Sequence, residues 1–260
     1  MLRPLRFAEL NKFLKRAARK SMRIGIIQTR GLGDIVIAAP IAMYWLARGH
    51  EVFWPIDSEF LPPFTFALPG IHFLPVDKSI TGINTADYFI EYPKKILTEH
   101  GCEDIHILYS SLTTYEFPHA HLASFLSFDR YKYAVAGVPF KEKWELKLQR
   151  NQEREKQLFE LLSLSPEDRY IVMQETGSDF KANLVDKIRI DTPRLINIAP
   201  LTDNFLDWLG VIENAEEVHL IDSVYSNIVD QLGFTNKKFF YRRSQIQFTP
   251  IFSSAWHYVE

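Results

Sequence analysis

Chemistry can be built most directly around Asp34. It closes the stretch Ile24–Asp34, I-G-I-I-Q-T-R-G-L-G-D, and the apolar run Ile35–Leu46 follows at once. An apolar strand ending in a turn bracketed by Gly31 and Gly33 carries no bulky side chain over its backbone, so a ligand can approach closely. A carboxylate at the start of the next helix then stands at the mouth of a crevice, where it can take a proton from a hydroxyl. The pattern is not a dinucleotide fingerprint. G-x-G-x-x-G requires glycine at position 36, which is Val36, and no P-loop lysine follows. A purely structural reading makes Asp34 a helix N-cap, but leaves unexplained why the helix carries Pro40, which should kink its interior.

Two further stretches suit an anion. Gln174–Lys181, Q-E-T-G-S-D-F-K, follows a strand, and its Gly177-Ser178 turn with Lys181 offers backbone, hydroxyl and charge to phosphate oxygens. In Glu217–Ile228, E-V-H-L-I-D-S-V-Y-S-N-I, Asp222 and Ser223 end a strand and open a helix whose free N–H groups and dipole favour an anion. Ser223 as a simple N-cap is the structural alternative. His119 and His121 bring two imidazoles together, but no Asp or Cys at metal spacing accompanies them, so a zinc site is disfavoured. Phe53, Trp54, Phe60, Phe64, Phe66, Tyr115, Phe117 and Trp144 could line a sugar platform, though core packing accounts for most of them.

The strand, the L-G-D turn and an apolar helix with proline six residues after the aspartate resemble the opening of the bacterial heptosyltransferases, glycosyltransferase family 9. The resemblance covers residues 22–57 well and elsewhere rests on element order and one local match. It implies that Asp34 is the general base. The segment around Asp222 is similar to the family's Asp-Thr/Ser-Gly-x-x-His, which sets a helix N-terminus under the donor diphosphate. Asp222 and Ser223 match, while Val224 replaces the glycine and Asn227 the histidine. The resemblance further implies donor contacts from Gly31, Gly33, Gly177, Ser178, Lys181 and Asn227, and places a nucleobase near Ile198-Ala199-Pro200. The implied activity is inverting transfer of a sugar from a nucleotide-diphosphate donor to a glycan or glycolipid hydroxyl. No cofactor is expected, and no metal, because the chain has no Asp-x-Asp arrangement. A non-catalytic sugar-nucleotide- or glycan-binding subunit and a sugar-nucleotide epimerase are the alternatives. An NAD-dependent oxidoreductase is disfavoured by the missing third glycine.

Short apolar strands alternating with helices predict the scaffold, an α/β protein with parallel sheets covered on both faces. The expected elements are strands 23–28, 51–55, 72–75 and 104–109, helix 35–48, and partial helix over 87–97. Lys141–Leu162, rich in charge and leucine without Gly or Pro, reads as one long exposed helix. Beyond it come strands 170–174, 187–190, 195–199, 217–221 and 238–241, helix 204–214 capped by Thr202 or Asp203, and helix 225–232. This order gives two Rossmann-like sheets facing a cleft, the GT-B type in the resembling family. The acceptor side is expected at 22–140 and the donor side at 141–260.

Residues 1–21 carry seven bases and one acid, a local charge of +6 against an overall −2. Leu10, Phe13, Leu14 and Ala17 at helical spacing make a basic amphipathic helix, suited either to an anionic membrane surface or to packing on the body. The remainder, at −8, does not suggest nucleic acid. A single cysteine, Cys102, excludes an internal disulfide and fits a reducing, cytoplasmic compartment. No apolar run approaches the ~18–20 residues that span a bilayer, and no secretory signal is present.

Overall fold

The computed structural model describes residues 21–77, 86–110, 112, 115–165, 167–177, 181–188, 194–243 and 249–259. The predicted basic helix and Ser178 lie outside them. The first sheet contains β1 (Arg23–Ile27), β2 (Glu51–Asp57), β3 (His72–Val76) and β4 (Asp104–Ile107), in the order β3-β2-β1-β4. The second contains β5 (Tyr170–Gln174), β6 (Arg194–Asn197), β7 (Glu217–Ile221), β8 (Lys237–Tyr241) and β9 (His257–Val259), in the order β6-β5-β7-β8-β9. Every pairing between these strands is parallel. In both sheets the central strands β1, β5 and β7 are almost wholly buried, which is why they read as continuous apolar runs.

The helices are α1 (Leu32–Leu46), α2 (Leu61–Ala67), α3 (Tyr92–Glu99), α4 (Phe128–Val135), α5 (Gln152–Leu161), α6 (Leu209–Glu213) and α7 (Val224–Gln231). Ile35 to Ala42 of α1 are all buried, the signature of a helix covered on every side. One apolar cluster runs from Ile24 and Trp54 of the first sheet, through α1, to Ile228 of α7 and Phe240 of the second sheet. A smaller cluster of Ile171, Met173, Leu184, Ile188, Ile221 and Tyr241 covers the other face of the second sheet.

Pro40 does not end α1, which runs on to Leu46. Lacking an N–H, it leaves the carbonyl of Val36, one turn earlier, without its helical donor. Gln231 Nε2 of α7 donates to that oxygen at 3.2 Å, and Tyr133 of α4 donates its hydroxyl to the neighbouring Ile37 oxygen at 2.9 Å. The carbonyls around the proline thus serve as docking points for two other helices.

Three expectations are corrected. The long helix 141–162 does not form. Residues 140–144 make a short 3₁₀ turn, 145–151 carry no helix or strand, and α5 starts only after Asn151, whose side chain accepts from Arg154 N at 3.2 Å. The reason is burial: Lys143 and Leu146 are drawn inside, and Gln149 N donates to Ala67 O at 2.9 Å. Of the strand predicted at 187–190, Lys187 closes a 3₁₀ turn over Val185–Lys187 and Ile188 is not in a strand, while residues 189–190 lie outside the described ones. The helix predicted at 204–214 is a 3₁₀ turn followed by α6, capped by Asn204 rather than Thr202 or Asp203.

Candidate active site

In an open parallel sheet, ligands bind beyond the carboxyl ends of the strands where the strand order reverses. The first sheet reverses between β1 and β4, and the second between β5 and β7. The turn carrying Asp34 leaves β1 at the first switch point. The Asp222-Ser223 turn leaves β7 at the second.

These two turns meet. A Cβ on Gly33 would lie 3.7 Å from Ser223 C, Val224 N and Asn227 Nδ2, so the start of α1 rests against the start of α7. Gly31, at φ +84°, is the N-cap of α1, and Asp34 occupies the helix's first turn. Asp34 is therefore not the cap that a structural reading would make it. A Cβ at position 31 would come within 2.7 Å of Asp34 Oδ2, so the carboxylate is seated over the glycine.

Asp34 is 39% exposed, and its Oδ1 lies 2.9 Å from Lys132 Nζ, which rises from α4. Lys132 also donates to Gln28 Oε1 at 2.7 Å and to Leu108 O at 3.4 Å. Gln28 is held in turn, since its Nε2 donates to Arg30 O at 2.8 Å. Below the turn, the Tyr109 hydroxyl accepts from Thr29 N and Arg30 N at 3.0 and 3.2 Å, so those two amides are occupied. Burial pushes the Tyr109 phenol well above its ordinary range, so it stays protonated. Arg30 Nε lies 3.6 Å from the buried carboxylate of Asp57 at the end of β2.

On the opposite side, Ser223 caps α7. Its Oγ accepts from Tyr225 N at 3.2 Å and donates to Gln174 Oε1, while Ser226 completes a capping box. Asn227 Nδ2 donates to Ser223 O at 2.8 Å, and its buried Oδ1 has no hydrogen-bond partner among the described residues. Asp222 is nearly buried, with its N–H donated to Tyr241 O at 3.2 Å.

Lys181 stands in the loop that follows β5. Thr176 pairs with it in an isolated antiparallel bridge, and Gly177 lies half-buried within that loop. Lys181 opens onto a cavity of about 660 Å³ shared with Asn183, Lys187, Tyr241, Arg242 and Tyr258. Asp34 and Ser223 do not line that cavity. Its volume and convergent cations suit a phosphorylated ligand. Of the aromatic candidates, Trp54 and Phe64 are fully buried and belong to the core. The rings of His119 and His121 are 6.4 Å apart, and among the described residues no three His, Cys, Asp or Glu side chains converge on a cation site.

The same architecture occurs in solved structures. A glycosyltransferase of family 9 from Veillonella parvula superposes with a TM-score of 0.60 at 12% identity, over 92% of this chain and 85% of that one. Heptosyltransferase WaaC of E. coli, in a complex with ADP-2-deoxy-2-fluoro heptose, gives 0.53 at 12% identity over 92% and 93%. E. coli ADP-heptose lps heptosyltransferase II gives 0.52 at 11% over 92% and 90%. The chain has the fold of the family 9 glycosyltransferases. No protein-family profile and no curated protein matches its sequence.

Within this family 9 fold, the residues found only in the structure include Lys132, Gln28, Gln174, Tyr109, Lys187 and Arg242. A lysine inside D-R-Y-K-Y-A-V reads as a solvated helix position, and only its contacts with Gln28 and Asp34 reveal it as buried. Gln28 carried a weak signal, as a polar residue closing the apolar run of β1. Among the described residues, no helix is long and apolar enough to cross a membrane.

Proposed function

We propose that the protein is a glycosyltransferase that moves a sugar from a nucleotide-diphosphate donor to a hydroxyl of a glycan or glycolipid. The reading rests on one observation: a half-exposed carboxylate, Asp34, is fixed at the switch point of one sheet and abuts the helix start at the switch point of the other. The names of the similar structures, with ADP-heptose, ADP and a fluorinated ADP-heptose, support a nucleotide sugar as donor.

The acceptor's oxygen attacks the anomeric carbon from the face opposite the diphosphate, and Asp34 Oδ2 takes the hydroxyl proton as that bond forms. The bond from the anomeric carbon to the diphosphate oxygen breaks, and its electron pair leaves with the diphosphate, so configuration inverts. The positive end of the α7 dipole stabilises the charge as it develops. Lys181, Lys187 and Arg242 anchor the polyanion further along the second sheet. Neither a metal nor a cofactor enters this scheme. The protein is placed in the cytoplasm, with residues 1–21 as its contact to a membrane surface that presents a lipid-linked acceptor.

The test is incubation with ADP-heptose, UDP-glucose, GDP-mannose and dTDP-rhamnose, scoring release of the nucleoside diphosphate. At least one donor is consumed slowly without acceptor, and Asp34→Asn cuts turnover to a small residual rate while nucleotide binding persists. An Asn variant with wild-type turnover removes Asp34 from the mechanism. A non-catalytic binding subunit is favoured by the commitment of the Ser223 hydroxyl to Gln174 and Tyr225. Binding of a nucleotide with no donor consumed would establish it.

A further inference from the structure

Lys132 is 4% exposed, and its ammonium meets three acceptors: Gln28 Oε1, Leu108 O and Asp34 Oδ1. An ammonium has three hydrogens, so this complement is complete. A buried cation requires such compensation, and among the described residues its only carboxylate partner is the one that opens to solvent at the switch point. The adjacent residue, Tyr133, donates its hydroxyl to Ile37 O, so successive residues of α4 grip α1 at its first two turns. Gln28 is not free to turn its amide, because its Nε2 is engaged by Arg30 O. A chain of fixed contacts thus runs from the β1 turn through Gln28 and Lys132 to one oxygen of Asp34.

We propose that Lys132 is a positioning residue for Asp34, an inference that rests on Asp34 acting as the base. Holding Oδ1 leaves Oδ2, seated over Gly31, as the oxygen that receives the acceptor's proton. The pairing also sets the charge of the site. Before reaction, Asp34 and Lys132 together are neutral and do not repel an anionic donor. Once the proton has moved to Oδ2, the pair carries one positive charge while negative charge grows on the departing diphosphate. That differential interaction favours the transition state over the ground state. Lys132 touches neither donor nor acceptor.

The experiment compares Lys132→Met, Asp34→Asn and the double variant, using ADP-heptose or whichever nucleotide sugar the wild type consumes. Lys132→Met is expected to lower kcat about 100-fold, the effect of a catalytic group displaced by about an ångström. The donor KM should stay within about twofold. Adding Lys132→Met to Asp34→Asn should change turnover by less than about threefold, because the lysine acts only through the carboxylate. Wild-type kcat in Lys132→Met overturns the proposal, as does an undiminished further loss in the Asp34→Asn background. If Lys132→Met fails to fold, Lys132→Gln removes the charge and keeps a donor, and the same outcomes apply. Should the wild type consume no nucleotide sugar, the functional reading fails, but a crystal structure of Lys132→Met still decides the positioning role. The Asp34 carboxylate is expected to leave its seat over Gly31, and an unmoved carboxylate refutes it.

Discussion

Replacing Gly31 by alanine tests the site at its geometrical root. The backbone there has φ +84° and ψ 98°, outside the left-handed helical region, a conformation that costs an L-residue about 1–3 kcal/mol. The new methyl would sit 2.7 Å from Asp34 Oδ2 and 3.4 Å from its Cβ and Cγ. The cheapest relief is rotation of the Asp34 side chain, which breaks its contact with Lys132. For a carboxylate 39% exposed, solvent screening limits that loss to about 1 kcal/mol. The total is about 2–4 kcal/mol, which at roughly 2 °C per kcal/mol for a chain of this size lowers the melting temperature by about 4–8 °C. Turnover should fall much further, by about 100-fold, because the carboxylate is displaced. Gly33→Ala is the internal control for melting alone: its methyl would make only ordinary contacts at 3.7 Å with Ser223, Val224 and Asn227, and a glycine inside a helix gains about 0.5–1 kcal/mol on becoming alanine. Calorimetry on both variants and donor turnover of Gly31→Ala read the two effects separately. A Gly31→Ala protein with wild-type melting and turnover would refute the seating of Asp34 over the glycine.

Two predictions concern stability. Gln231→Leu removes donors to Val36 O at 3.2 Å and Lys143 O at 2.9 Å, and should cost about 2 kcal/mol in urea titrations. Pro40→Ala in that background restores an N–H to Val36 O and should recover part of the loss, whereas simple additivity would deny the proposed exchange of partners. The second is pH dependence. Burial alone would raise the Asp129 and Asp230 carboxyls. The Lys143 ammonium overrides this for Asp129, as do Ser254 and the amides of Ser253 and Ser254 for Asp230, so both titrate below their ordinary range. Groups depressed on folding contribute stability that is present above the unfolded carboxylate value near 3.9 and lost as pH falls through the lower folded values. Stability measured in urea should therefore decline on acidification below about pH 4, and a rise between pH 5 and 3 would contradict the assignment.

The sheets were legible because their central strands are buried on both faces and follow the βα rhythm without interruption. β7 falls at Glu217–Ile221, where the apolar run places it. β9 was not foreseen, since three residues, two of them exposed, carry no periodicity. The missing helix at 141–151 has a different cause. Its composition is helical, but Lys143 is wholly buried between Asp129 Oδ2 at 2.8 Å and Ile251 O at 2.6 Å, contacts that no local propensity encodes. Asp34, Gly31 and Ser223 announced themselves through turn chemistry, which is local. Lys132 did not, because its partner Gln28 lies 104 residues away and a helical lysine by itself signals only solvent.

The distribution of these contacts bears on how far the two sheets can part. Two independent sheets joined by a flexible linker would open and close around a ligand. Here a single apolar cluster passes from Ile24 through α1 and α7 to Phe240. Gln231 bonds α7 to the proline-freed carbonyl of α1. Asp230 gathers Trp144 Nε1 at 2.8 Å and the amides of Ser253 and Ser254 at 2.8 and 3.1 Å, tying the C-terminal segment to the segment before α5. Separating the sheets would expose that shared core and strip several buried polar groups of partners at once, which is far costlier than bending a linker. The carboxylate and the opposing helix start are therefore held at a nearly fixed spacing.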